Sequence, residues 1–187
     1  MAASLGGIVE NEGDGRPLLL LDVDGPLNPY AAAPQRRPAG YTTHRMRPTG
    51  WENPWDKPLR VWLNHGHGAD LLALPYELVW ATTWKNEAND WIGPHLGLPT
   101  LPFIDWPTMT PQQGARLHWK TQALVAYAKG RPFAWVDDEL GQEDREWVRE
   151  NHDAPALLHW VDPRLGLLPD DFSALADWAT DLEQVAA

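Results

Sequence analysis

The segment Leu18-Leu19-Leu20-Leu21-Asp22-Val23-Asp24-Gly25-Pro26-Leu27-Asn28 constrains this chain more than any other. A purely apolar run ends abruptly in two aspartates one residue apart, followed by Gly-Pro. An apolar run bounded by turn residues reads as a buried strand, central in a parallel sheet. Residues two apart on a strand point the same way. Asp22 and Asp24 are therefore expected together at the carboxyl end of that strand, where open α/β sheets place their ligand sites. Two carboxylates so close repel unless a cation or a shared proton relieves them. A divalent metal and acid–base chemistry are the economical explanations.

The rest of the chain is consistent with one such domain. Its 187 residues suffice for a single core. No apolar run is long enough to span a bilayer, and no basic-then-apolar leader opens the chain. With no cysteine, disulfides and thiolate zinc sites are excluded. These features lead us to expect a cytoplasmic protein. The net charge of -11 argues against general nucleic-acid binding. Against that background, residues 35–60 carry six basic side chains and two acidic ones. Arg45 and Arg47 lie in this stretch with Trp51 and Trp55, a mixture suited to an extended anion or to a solvated loop.

Residues 1–16 read as a loose leader, and residues 17–187 as one domain with an irregular insertion at about 29–58 that could hold a short hairpin. Strands are predicted at Leu18–Asp22, Arg60–Leu63, Glu77–Thr82, Pro132–Val136 and Ala156–Trp160, with a short apolar run at Leu101–Ile104. Helices are predicted at His65–Leu74, Asn86–Leu96, Trp119–Lys129 and Gly141–Asn151. Asp170 is the expected cap of a last helix, whose inner face is Phe172, Leu175, Ala176, Ala179 and Leu182. Alternating strands and helices predict an α/β fold with a mainly parallel sheet. His65-Gly66-His67 reads as a helix-start turn rather than a metal site, because no second cluster accompanies it.

Three strands end in polar residues: Asp22/Asp24, Thr82/Thr83 and Asp137/Asp138. Lys120 opens the helix before the third. Carboxylates, hydroxyls and an ammonium together can hold Mg²⁺ and bind a phosphoryl group. Alternatives remain at each position. Thr83 rivals Thr82, His118 and Lys129 rival Lys120, and Asp137-Asp138 could instead cap the following helix.

Asp22-Val23-Asp24-Gly25, Thr82, Lys120 and Asp137-Asp138, in that order, resemble the four motifs of the haloacid dehalogenase (HAD) superfamily of phosphohydrolases. The likeness spans about Leu18 to Leu140. Val79-Trp80-Ala81-Thr82-Thr83-Trp84 with Ala88-Asn89, and Trp135-Val136-Asp137-Asp138, resemble the HAD domain of bacterial "Swiss army knife" RNA-repair proteins. The resemblance implies a HAD-like Rossmannoid three-layer fold with a small flap or cap insertion. It implies a Mg²⁺-dependent phosphatase working through an aspartyl-phosphate. Asp22 would be the nucleophile, Asp24 the general acid and base, Thr82 a phosphoryl ligand, and Lys120 the charge partner. Asp22, Asp24 (by its backbone carbonyl), Asp137 and Asp138 would serve the metal. Thr83, Asn28, Arg45 and Arg47 are the candidate substrate-binding residues. A small insertion leaves the site open, which favours a bulky substrate such as a nucleic-acid end, a nucleotide or a phosphoprotein. A small-metabolite phosphatase and a catalytically idle binding module of the same fold are the alternatives.

Overall fold

The computed structural model describes residues 15–106 and 117–186. Most of the expected leader lies outside the described residues. Four parallel strands, β1 (Leu18–Leu21), β4 (Glu77–Trp80), β5 (Phe133–Asp137) and β6 (Ala156–Trp160), form the main sheet in the order β4-β1-β5-β6. The leucine run is thus an interior strand, with neighbours on both edges. Its four side chains are all buried, because alternate residues point to opposite faces and both faces are covered.

Each face has its own core. Leu19, Leu21, Leu78, Trp80, Ala134 and Val136 point to one side. There they meet α1 (His67–Ala73), α2 (Glu87–Trp91), α3 (Gly93–Leu96) and α6 (Pro169–Ala186), through Leu71, Ala88, Ile92, Leu96, Leu175 and Ala179. Leu18, Leu20, Val79, Phe133 and Trp135 point to the other. They pack on α4 (Thr121–Ala128) and α5 (Gln142–Asn151), through Leu124, Ala128 and Val148. Burying one such aliphatic side chain contributes about 1.5–3 kcal/mol, so this three-layer arrangement is strongly specified by the strand sequences.

Several local expectations are corrected. The strand near Arg60 is not in the main sheet. It is β3 (Leu59–Leu63), and it pairs antiparallel with β2 (Thr42–Met46), a strand inside the insertion. The hairpin they form spans residues 42–63. Met46, Val61 and Leu63 anchor it in the core. The single helix expected over Asn86–Leu96 is two, α2 and α3, with Pro94 early in the second. The Leu101–Ile104 run contributes one isolated bridge, Phe103 to Trp80. The last helix starts at Pro169, so Asp170 sits inside its first turn. Asp171 takes the capping role instead, accepting the Leu168 N–H at 2.7 Å.

Gly68 sets how closely α1 approaches α3. A Cβ there would run into the backbone carbonyl of Leu96. Gly68→Ala should force the two helices apart and cost about 3 kcal/mol, the upper range for overpacking. Equilibrium urea unfolding checks this, and wild-type stability would show that the contact yields freely.

Candidate active site

The register of the sheet brings the chemistry together. Leu21 lies opposite Trp80 on one side and Val136 on the other, so the residues after these strands share one edge. Asp22, Thr82 and Asp137 are all buried there. Lys120 reaches this edge from the N-cap position of α4. Its Nζ donates to Asp22 Oδ2 at 2.7 Å and to Asp137 Oδ2 at 2.8 Å. The ammonium is itself only 3% exposed, so both ion pairs lie in a low dielectric. Lys129 caps the opposite end of α4 in a left-handed conformation and takes no part.

Asp22 feels opposing influences. Burial pushes its carboxyl up to about 7, the Asp137 charge adds to the rise, and Lys120 and a hydrogen bond with Thr82 pull it down. Its Oδ1 accepts the Val23 N–H at 2.7 Å. The two threonines differ in burial. Thr82 is buried against Asp22, whereas Thr83 is exposed.

Asp24 belongs to a different set of contacts. Its Oδ1 accepts from Asn28 Nδ2 at 2.8 Å, and its Oδ2 from the Trp84 indole at 2.9 Å. Asn28 in turn accepts the Trp62 backbone N–H at 3.0 Å, which ties the loop to β3. The side chain of Asn28, a candidate substrate contact by sequence, is thus spent on holding Asp24 and the flap. Gly25 makes the intervening turn at φ +91°. A Cβ there would lie 2.5 Å from the Asp138 carboxyl, so glycine is required twice over.

Asp138 lies beside this turn, its Oδ2 accepting the Tyr30 hydroxyl at 2.9 Å and its carbonyl the Trp160 indole at 2.8 Å. Burial raises its carboxyl above the ordinary carboxylate range. Tyr30 is held up at about 12 by burial and by this bond, so it remains a donor. Carboxylate oxygens of Asp22, Asp137 and Asp138 all lie within 4.8 Å of one another. Lys120 occupies one oxygen each of Asp22 and Asp137. The other oxygen of each accepts a single backbone N–H, from Val23 and Glu139. Lone pairs therefore remain, and an all-oxygen, anionic set suits a hard cation such as Mg²⁺. The Asp24 carboxylate stands outside that set.

Not every sequence candidate joins the cluster. Arg47 donates to the backbone carbonyls of Trp51, Asn53 and Asp56 and so fastens its own loop. Arg45 is exposed on β2, opposite Arg60. Trp51 and Trp55 are exposed, Trp55 almost fully.

Other residues at the site escaped the sequence reading. Trp84, Tyr30 and Trp160 contact the acidic residues through bonds spanning 22 to 108 positions, and no local pattern announces them. Asp144 is 1% exposed and joins α4 to α5. It accepts the His118 and Gly141 N–H groups and the Thr121 hydroxyl. Its place three residues after Gly141 is a helix-capping signal that could have revealed it. His118, which the sequence offered as a rival of Lys120, instead supports it by accepting its backbone N–H at 3.2 Å, and its Nε2 meets Glu139 at 3.0 Å.

No helix among the described residues is long and apolar enough to cross a membrane. No family model, no curated protein and no solved structure matches the chain.

Proposed function

We propose that this chain is a Mg²⁺-dependent phosphohydrolase of the HAD type, acting through an aspartyl-phosphate. The observation that carries this reading is the buried Lys120 bridge between Asp22 and Asp137, with Asp138 alongside and Asp24 separately held. A lysine buried between two carboxylates could be purely structural. The third carboxylate and the position at the carboxyl edge of a parallel sheet favour chemistry.

In this reading Asp22 attacks phosphorus, forming an O–P bond as the ester P–O bond breaks. Asp24 gives its proton to the departing oxygen, held in place by Asn28 and Trp84. A water then attacks the aspartyl-phosphate and yields its proton to Asp24, releasing inorganic phosphate and restoring Asp22. Thr82 and Lys120 bind and neutralise the phosphoryl oxygens, with the N-terminus of α4 nearby. Mg²⁺, held by Asp22, Asp137 and Asp138 with the Asp24 carbonyl, would supply charge stabilisation to the phosphoryl group.

For the substrate, the exposed aromatic groups of Tyr30 and Trp160 beside Asp138 suit a base-bearing phosphate. The commitment of Arg47 to its own loop weakens the case for an extended nucleic-acid track and favours a nucleotide or other small phosphate.

Phosphate release should be measured on nucleotides, phosphorylated oligonucleotide ends and sugar phosphates, with Mg²⁺ and with chelator. Turnover is expected only with Mg²⁺, and equal activity in chelator would overturn the metal assignment. Arg45→Ala should raise KM for oligonucleotides in a salt-dependent way if that arginine guides the substrate. An unchanged KM on every substrate would remove Arg45 from recognition.

A further inference from the structure

A second group of potential ligands joins the β2–β3 hairpin to the segments around α1 and α3. His44 is on β2, His65 precedes α1, and His95 is on α3. Fifty-one positions separate the first from the last, yet one ring nitrogen of each lies within 4.8 Å of the others. The Nε2 atoms of His44 and His65 are 3.1 Å apart. The His44 ring leans on His95 with centroids 3.9 Å apart and planes tilted by 37°.

We propose that His44, His65 and His95 form a binding site for a divalent transition metal ion, with zinc the best fit. Two imidazole nitrogens on one tetrahedral zinc, at the usual 2.0–2.1 Å bond length, stand about 3.3 Å apart. The His44–His65 pair is already at nearly that spacing. A His95 ring nitrogen already lies within 4.8 Å of both, on an exposed side chain. An all-imidazole set selects zinc, copper or nickel, whereas the carboxylates of the acidic cluster select Mg²⁺. Three protein ligands leave a fourth position for water. His65 and His95 are exposed, so the ion has an open path.

Charge supports the same reading. Burial and the two neighbouring imidazoles hold His44 below the ordinary histidine range, which keeps it in the neutral form a metal requires. The sequence neighbour of His65 does not join the cluster. His67 turns inward toward Tyr41, Phe172 and Asn64, leaving only His65 at the cluster. A bound ion would clamp the β2–β3 hairpin to α1 and α3. That hairpin also carries the Trp62 N–H that holds Asn28.

The test uses untagged full-length protein, stripped with chelator and returned to excess Mg²⁺ so that the acidic cluster is filled. Zn²⁺ is titrated by calorimetry, and Co²⁺ by its visible tetrahedral absorption. One equivalent of Zn²⁺ is expected, with a rise in melting temperature. His65→Gln and His95→Gln alter exposed side chains, and circular dichroism verifies their fold. Each should weaken Zn²⁺ binding at least on the order of 100-fold, since even loss of an outer-shell partner costs 10- to 100-fold. His44→Gln should do the same. Absence of saturable Zn²⁺ binding, or Zn²⁺ binding unaltered by His65→Gln and His95→Gln, would overturn the site and leave a stack of imidazole rings. The readout is metal binding alone, so it stands or falls independently of phosphatase activity.

Discussion

Asp22→Asn is expected to reduce Mg²⁺-dependent hydrolysis of an aryl phosphate by at least about a thousandfold, as for the loss of a covalent nucleophile. The fold should survive. Asparagine is isosteric, its single Oδ1 can accept either the Val23 N–H or the Lys120 ammonium, and Lys120 keeps its second partner, Asp137. Removing the carboxyl also removes a buried acid whose charged form is disfavoured, with its titration raised to about 7. The variant should therefore unfold at a temperature close to wild type. Asp24→Asn should differ in kind. Asp24 contacts neither Lys120 nor the metal set through its carboxylate, and its hydrogen bonds are to Asn28 and Trp84. Its loss should be felt most with poor leaving groups, which need the proton. Steady-state kinetics on a series of aryl phosphates separates the two. A folded Asp22→Asn protein with full activity would remove the nucleophile assignment and, with it, the covalent mechanism.

The second large effect is on stability. Lys120→Met keeps the length and apolar stem of the side chain but leaves Asp22 and Asp137 facing each other without a cation. Breaking a buried ion pair from one side costs ~3–5 kcal/mol. The pH dependence follows from Asp22. Its folded carboxyl already titrates well above the unfolded value of 3.8, and loss of Lys120 removes the influence that pulls it down. At pH 6 the carboxyl can remain protonated and neutral. Across this range the unfolded carboxyl is already ionised, while the folded state must either keep a proton against the solvent or bury an unpaired charge. The penalty should therefore grow from pH 6 to pH 8. Mg²⁺ should recover part of the loss, because a cation on the same oxygens replaces the missing charge and stabilises the folded state by mass action. Urea unfolding at the two pH values, with and without Mg²⁺, measures all of this. A variant as stable as wild type at pH 8 without Mg²⁺ would mean that water reaches the pair and the bridge is not a buried one.

These two variants probe different properties of the same three residues. Asp22→Asn removes reactivity while keeping the size and packing of the side chain. Lys120→Met keeps the carboxylates and removes the charge balance. If the site were only a structural ion pair, the second change would be harmful and the first would have no activity to abolish.

Much of this arrangement is legible in the sequence for a local reason. Four consecutive leucines ended by Asp-Val-Asp-Gly-Pro fit a short interior strand covered on both faces, and β1 is one. The strands at Glu77, Phe133 and Ala156 follow from short apolar runs ended by polar residues, and their parallel pairing places Asp22, Thr82 and Asp137 on one edge. Helix periodicity similarly marks α6, with Leu175 and Ala179 at its buried face. What the tertiary structure alone decided depends on contacts between distant segments. Thr82 and Thr83 are chemically identical neighbours, and only burial against Asp22 distinguishes them. Lys120 and Lys129 are separated by which end of α4 meets the sheet edge. Arg47 has the charge of an anion-binding residue, but its loop folds back and fills its guanidinium with carbonyls. The β3 segment has the pattern of a sheet strand, yet its partner lies in the insertion, a choice that pattern cannot encode. His44, His65 and His95 share no motif, because a cluster drawn from three elements leaves no periodic trace in the chain. Patterns in sequence record which face of an element is buried. They do not record which residue from elsewhere will meet it.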